Sequence, residues 1–454
     1  MTIKNRDMAE KWKVIDIVSE GRDELVAKNK LVQFPQETPT AYKIRKQNAV
    51  FYNMFNRTIT GLTGVAFYKD IVLSSNNKES ILEAAEDIDM LGTHLNLFAQ
   101  DVLNASLKYG HTFMFIGYPD NNATTREQSK QSKLRPFWSH ILPHNVVYWR
   151  KENVNGVPRL TLLIIKDTKM TYDGYSESSE DIYRVYALNT WQILDKDENE
   201  VEKGEHNLGY IPIVPVYSNK TGFFESSPLF YDMALSNIKH FNMSSDLDSI
   251  LHKTCVPLLV HRRLGTDMSS EKESVTISPN SLIEIGEDEI LSYVEPTGAS
   301  IKLVQEELAN IEKRIAKEGM SMLLGKKQQT QTATESKLDF TLGNAGLNNA
   351  MKSLKDGIEQ SFVYHAKYIG ETESGSVSLA TDFKIGDTDA NLLNALHTAL
   401  ENGNYSADQW FDYLKTNNLT SEDFDQLAEI RKREEAKEKI AKDEKAKSCP
   451  SQSK

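Results

Sequence analysis

Apolar positions along the chain switch between a helical and a strand period several times, and the switches divide it into predicted elements. The first 40 residues are charged and weakly periodic, with a Pro-rich break at 34–39, and read as an arm or a loosely attached helix. Ile44, Phe51, Phe55 and Ile59 recur at helical spacing, which predicts one helix from Ala41 to about Ile59, closed by Gly61 and Gly64. After Asn77, the stripe Ile88, Leu91, Leu95, Phe98 and Val102 predicts a second continuous helix, ending near Tyr109 and Gly110. His111 to Tyr118 is a β-prone run stopped by Pro119, and a polar loop follows to about Lys133.

From Leu134 to Tyr217 the period is that of short strands: Asn145–Arg150, Arg159–Lys166, Ile182–Leu188, Trp191–Leu194 and Ile211–Val216. Turn signals at Asn155-Gly156 and across 195–199 suit an antiparallel meander, so helices beside it make this half α+β, not doubly wound. Ser227 as N-cap and Pro228 at the first helical position predict a long helix to about Thr254, stopped by Pro257. Three strand-like pieces come next, Val256–Val260, Val275–Ile285 and Ile290–Val294.

A second long helix is predicted from Ala299 to Leu324, with Ile301, Val304, Leu308, Ile311 and Ile315 on one stripe. Its four bases (Lys302, Lys313, Arg314, Lys317) balance its four acids (Glu306, Glu307, Glu312, Glu318). It runs into a polar loop, Gly325 to Thr332, and a third helix from about Ala333 to Tyr368. A strand is expected at Val377–Ile385. Two helix starts follow, at Ser406 with Gln409 and at Thr420 with Asp423, each flanked by a hydrophobic staple. Past Ile430 the chain is rich in Lys, Glu and Ala.

Composition narrows what such a chain does. Its 454 residues are enough for two or three compact regions, and 39% hydrophobic with 26% charged residues is ordinary for a globular protein. No apolar run approaches the roughly 20 residues of a membrane span, and no signal-like segment opens the sequence, so the expected setting is a cytoplasm. Cys255 and Cys449 alone supply neither a disulfide framework nor a thiolate metal site. A formal net charge of −12 disfavours tight duplex binding, which runs on phosphate neutralisation, but it suits a surface that DNA slides past.

Candidate chemistry is sparse. Phosphate loops, zinc-protease helices and nucleophile elbows are missing from the sequence. His140 and His144 are a conceivable metal pair weakened by the intervening Pro143, and Asp248 with His252 meets at i and i+4 beside Asp246. Asp387 and Asp389 fit anion placement at a helix N-terminus. No cofactor is expected. Two long helices around a small β insertion, with a polar loop behind them, suit a mechanical role; from periodicity alone they are equally a plain helical hairpin with a surface loop.

Several local sequences, taken in order, resemble the bacteriophage portal (head-to-tail connector) family. They are Leu134-Arg-Pro-Phe-Trp138 with Pro143, Val147-Tyr-Trp-Arg150, Asn155-Gly156, residues 232–240, residues 246–252, Pro257-Leu-Leu259 and Thr330-Gln-Thr-Ala-Thr334. With the element order, the resemblance spans about Tyr42 to Tyr368. It implies a portal-type α+β fold: an N-terminal arm (1–40), an α/β wing (41–226), stem helices (227–254 and 299–324) around a small β clip (255–298), a tunnel loop (325–335), a long helix returning to the wing (336–376), a helical crown (377–430) and a charged tail (431–454).

The resemblance further implies a non-enzymatic ring of about twelve subunits at the capsid vertex, made in the host cytoplasm. Its partners would be a terminase motor, a head-completion or tail adaptor protein, a major capsid or scaffolding protein, and double-stranded DNA passing with weak contacts; no membrane is involved. The channel residues would be Lys326, Lys327, Gln328, Gln329, Thr330 and Gln331, with Lys302, Lys313, Arg314 and Lys317 on the stem. A metal-dependent nuclease or hydrolase using scattered Asp, Glu and His, and a monomeric virion adaptor, are the alternatives the residues leave open.

Overall fold

A computed structural model describes residues 6–74, 77–119, 134–206, 208–254, 258–263, 289–294, 299–320, 333–372, 375–380, 397–400 and 410. The chain is α+β and divides into two compact units, 1–383 and 384–454. In the second unit the rings of His397 and Trp410 meet edge to face at 5.8 Å.

The expected loose arm is instead part of the main core. Helices α1 (Arg6–Glu20) and α2 (Arg22–Ala27) bury Trp12, Ile15, Val18 and Leu25 among residues of the large hydrophobic cluster. The Trp12 indole donates to the Tyr109 carbonyl at 3.0 Å. Glu10, Lys13, Glu20 and Asp23, which made the segment look detached, lie on its outer face, whereas Asp16 turns inward to Tyr109.

The single helix expected over 41–59 is two, α3 (Pro39–Asn48) and α4 (Met54–Ala66). Thr38 caps the first and Asn53 the second, its side chain accepting from the Asn56 amide at 2.9 Å. The same Asn53 donates to the Val18 carbonyl, so the break is also a tie to α1. Gly61 and Gly64 lie inside α4 and do not end it.

The stripe from Ile88 to Val102 is likewise interrupted. Helix α5 (Glu79–Glu86) and helix α6 (Leu95–Tyr109) flank a loop in which Asp87 and Asp89 accept from the Gly92, Leu91 and Thr93 amides. Met90 and Gly92 take positive φ there, and Leu91 is 88% exposed. Three amide bonds to two aspartates outweigh one more turn of stripe. The expected end of α6 holds: Gly110 takes the left-handed conformation at φ 89°.

Strand β1 (Val72–Leu73) pairs across the chain with residues 377–378. Strand β2 (His111–Gly117) is buried throughout and lies between β3 (Phe137–Ile141) and β9 (Ile213–Tyr217) in a three-stranded antiparallel sheet. Its two faces do different work. Met114 and Ile116 join Val214, Val216 and Trp138 against the helices, whereas Phe113 and Phe115 join Ile213 in a second core with Val146, Trp149 and Leu163.

That second core is closed by an antiparallel meander, its first four strands expected and its fifth not: β4 (Val146–Val154), β5 (Val157–Asp173), β6 (Ser176–Ala187), β7 (Thr190–Leu194) and β8 (Glu200–Glu205), in sequence order. Asn155 and Gly156 turn the first hairpin with φ of 53° and 79°, as a type I′ turn requires. The run at 211–216, read as a fifth strand of the meander, pairs with β2 instead. The order of layers is therefore helices, three-stranded sheet, five-stranded sheet.

After the small hairpin of β10 (Lys220–Gly222) and β11 (Glu225–Ser226) comes helix α7 (Tyr231–Thr254), which begins three residues later than the Ser227 cap predicts. The Ser227 amide is drawn to the Asn219 carbonyl at 3.2 Å, and the Ala234 amide closes the first helical turn on Phe230. Strands β12 (Leu258–Arg263) and β13 (Glu289–Val294) pair antiparallel over six positions; the predicted piece 275–285 lies outside the described residues. Helices α8 (Ala299–Met320) and α9 (Ala333–Ile369) follow, and β14 (Val377–Ser378) closes the pair with β1. The predicted strand to Ile385 stops at Ser378, since Leu379 and Ala380 are not strand, and residues 381–385, the capped helix starts at Ser406 and Thr420 and the polar loop 120–133 fall among residues that are not described. Among the described residues no helix is long and apolar enough to cross a membrane.

Candidate functional site

Helices α7 and α8 form an antiparallel pair with the β12–β13 hairpin between their far ends. Near the body, Met233 sits beside Gly319, where an added Cβ would come within 2.9 Å of its methyl carbon. One step outward, His240 Nε2 lies 3.1 Å from Glu312 Oε1. Leu308, Ile311 and Ile315 are buried in the seam, as the predicted stripe requires. On the solvent side, Glu307 accepts from Lys239 Nζ at 3.0 Å and from Arg314 at 2.9 Å. The hydrogen bond from Lys239 foremost, then the charges of Lys239 and Arg314, hold its carboxyl below the ordinary value.

The root of this pair is clasped by the N-terminal region. The buried Asn237 side chain accepts from the Phe55 amide at 3.1 Å and donates to the Tyr52 carbonyl at 3.0 Å, using the gap between α3 and α4. Five residues on, Asn242 accepts from the Val32 amide and donates to the Lys30 carbonyl. Asp246 then meets Arg45 at 3.2 Å. The Arg45 guanidinium is nearly enclosed: it pairs with both oxygens of Glu37 at 3.0 and 2.9 Å, donates to the Val32 carbonyl, and lies 4.1 Å over the Phe34 ring. Burial raises the Asp246 carboxyl despite Arg45.

Helix α9 comes back into the body. Leu347, Ala350, Met351, Leu354, Ile358 and Phe362 are buried, and Gly357 lets it approach Met114 and Val216 of the three-stranded sheet.

Of the predicted stem cations, Lys302, Lys313 and Lys317 are exposed on α8, while Arg314 is engaged with Glu307. The predicted channel residues Lys326, Lys327, Gln328, Gln329, Thr330 and Gln331 lie outside the described residues. The proposed ligand pairs separate: His140 Nε2 is 2.8 Å from Thr112 Oγ1, His144 Nε2 is 3.0 Å from Asp16, and Asp246 belongs to Arg45. Asp248 and His252 are exposed on α7, and Asp387 and Asp389 are not described. Among the described residues no three His, Cys, Asp or Glu gather as a metal set.

One constellation was missed. His111 Nδ1 is 2.7 Å from Ser226 Oγ, and Tyr109 donates to Asp16 at 2.8 Å, with the Trp12 and His144 rings packed between them. Burial pushes the His111 pKa down to about 3. His111 and Ser226 are both inside the fold, so this knot pins α1 to the sheet and presents no nucleophile to a substrate. With 115 residues between His111 and Ser226, no local pattern announces it.

The segment from the approach to α7 through the end of α9 coincides with a family match. A family described as Domain of unknown function (DUF4055) matches residues 228–369. No curated protein matches the chain. Similar solved structures include the neck of an empty GTA particle computed with C6 symmetry, at 9% identity over 77% of this chain and 85% of that one, with a TM-score of 0.44. The virion of the native gene transfer agent (GTA) particle gives 9% identity over 85% and 94%, also at 0.44. The neck of the native GTA particle computed with C12 symmetry gives 10% over 82% and 90%, at 0.43. At such identities and scores the likenesses leave the functional reading to the chain's own residues.

Proposed function

We propose that the chain is a portal-type structural subunit. It forms a ring at one vertex of a viral head, passes double-stranded DNA during packaging and ejection, and gives motor and tail their attachment point. The observation that carries this reading is the antiparallel α7–α8 pair. It is rooted in an α/β body, bears a β hairpin at its far end, and is followed by a helix returning to the core, the order that the portal-family resemblance implies. In that reading α7 and α8 are the stem, β12–β13 belong to the clip, residues 325–335 are the tunnel loop and residues from 377 belong to the crown.

The energetics of passage favour it. A chain of net charge −12 with a charge-balanced second stem helix gives DNA few counterion-releasing contacts, so the duplex moves instead of binding. Lys326 and Lys327 supply brief phosphate contacts, and Gln328, Gln329 and Gln331 hydrogen-bond without fixed charge. Leu235 on α7 and Leu303 on α8 are exposed in a single copy, as expected of helices whose neighbours in a closed ring cover them.

Negative-stain microscopy with mass photometry on the same sample tests the reading. Rings with a central hole are expected, and a uniform monomer or dimer across salt conditions would overturn it.

A further inference from the structure

Strands β5 and β6 run on beyond the sheet that contains them. β4 leaves β5 at Ile165, and β7 leaves β6 at Tyr183. From Thr168↔Asp181 to Asp173↔Ser176, six rungs pair only with each other, a two-stranded ribbon roughly 20 Å long. Gly174 at φ 60° turns its tip as the first residue of a two-residue loop, a position that suits glycine. Both faces and both edges are in solvent.

An isolated two-stranded ribbon is marginal in water and presents unpaired strand edges, so a free-standing one normally has an outside use. This one carries apolar and aromatic groups where solvent alone would favour polar ones. Met170 and Tyr172 share one face, Tyr172 is 68% exposed, and Tyr175 stands fully exposed at the tip. Tyr and Met are enriched at protein interfaces. Around them the ribbon is acidic, with Asp173, Glu177, Glu180 and Asp181 against Lys169.

The same acidic chain holds, among the described residues, a surface of opposite character. Between Arg22 and Val50 five bases outside the buried Arg45–Glu37 pair (Arg22, Lys28, Lys30, Lys43 and Lys46) face two acids, Asp23 and Glu24. Arg22 bonds the Lys46 and Ala49 carbonyls and Lys46 reaches Asn29, which gathers the ends of α2 and α3 into one patch. Ile44 and Val50 are exposed there, beside the exposed Lys28 and Lys43. Acid with tyrosine and methionine on one element, base with isoleucine and valine on another, is the complementarity of a heterologous contact, the kind that repeats around a ring.

We propose that the 168–181 ribbon of one copy docks on the α2–α3 surface of a second copy. This rests on the ring reading and adds the contact that would join neighbours.

Charge reversal and its rescue test it, with assembly followed by mass photometry over a dilution series and folding checked by circular dichroism. Glu177→Lys/Glu180→Lys on the ribbon and Lys28→Glu/Lys43→Glu on the patch should each raise the half-assembly concentration about ten-fold or more, and the four changes together should recover most of that loss. Tyr172→Ser/Tyr175→Ser, which alters no charge, should weaken assembly without rescue by the patch variant. Wild-type rings whose half-assembly point is unmoved by the variants, or losses that add in the fourfold variant, would overturn the docking alone. A wild type that stays monomeric would overturn the ring reading and the docking with it.

Discussion

Replacing Arg45 by Met removes the charge that holds the N-terminal clasp to α7 while keeping much of the side-chain volume. The Arg45 side chain is 4% exposed and that of Glu37 is 8% exposed, so the variant leaves a carboxylate buried with its bidentate partner gone. Breaking one side of a buried pair costs about 3–5 kcal/mol, a large share of a typical 5–15 kcal/mol total. Asp246 adds less, because its side chain is 34% exposed and water screens it. The companion change Glu37→Gln removes the orphan charge, so Arg45→Met/Glu37→Gln should recover roughly half the loss, a coupling of about 2 kcal/mol. Urea denaturation followed by tryptophan fluorescence reads this directly, since Trp12 lies in the adjoining core. A single-variant cost below about 1 kcal/mol, or a double variant less stable than the single, would refute the idea that the clasp is a buried, compensated pair.

Acid should destabilise the body. Burial lowers His111 to about 3 and His140 and His365 to about 4, from the usual 6.5, so the unfolded chain takes up these protons first. Stability present above pH 6.5 is then lost as pH falls toward 4, by up to about 1.4 kcal/mol per pH unit per histidine, and a melting temperature flat from pH 7 to 4.5 would contradict this. Gly110→Ala should cost roughly 2–3 kcal/mol, because φ is 89° and the new Cβ would fall 2.9 Å from the Ser227 carbonyl oxygen; an unchanged urea midpoint would show that the turn yields. Lys326→Glu/Lys327→Glu should leave folding and ring formation intact while lowering the DNA content of particles, and normal virus yield would remove the reason for placing that loop in the channel.

The first four strands of the meander, the helix ends at Gly110 and Thr254, and the seam residues Leu308, Ile311 and Ile315 were legible because each is set by local period or by one cap. What failed to show locally was decided by partners far away in sequence. Asn53 caps one helix while also holding Val18, and Ser227 lies ahead of the helix it was expected to cap, its amide bonded to the Asn219 carbonyl. Asp87 and Asp89 break an apolar stripe by binding three amides that a periodicity count ignores. Trp12, Ile15 and Val18 had the right spacing, but the surrounding charges concealed it. At the candidate site, Lys302, Lys313, Arg314 and Lys317 lie on the helix expected over 299–324, yet the commitment of Arg314 to Glu307 and the clasp through Asn237, Asn242 and Asp246 depend on contacts that no single segment encodes.

Helix α1 meets its partners late. Met8 touches Ser226, 218 residues further along, and Trp12 needs Tyr109, 97 residues on. At ribosomal speeds of about 5–20 residues per second, the first helix waits roughly 10–40 s beside the growing chain before the hairpin and α7 exist to cover it. Its apolar stripe is thus exposed through about the first half of synthesis, which makes it the natural binding point for a holding chaperone and the segment whose early misdocking would most reduce yield.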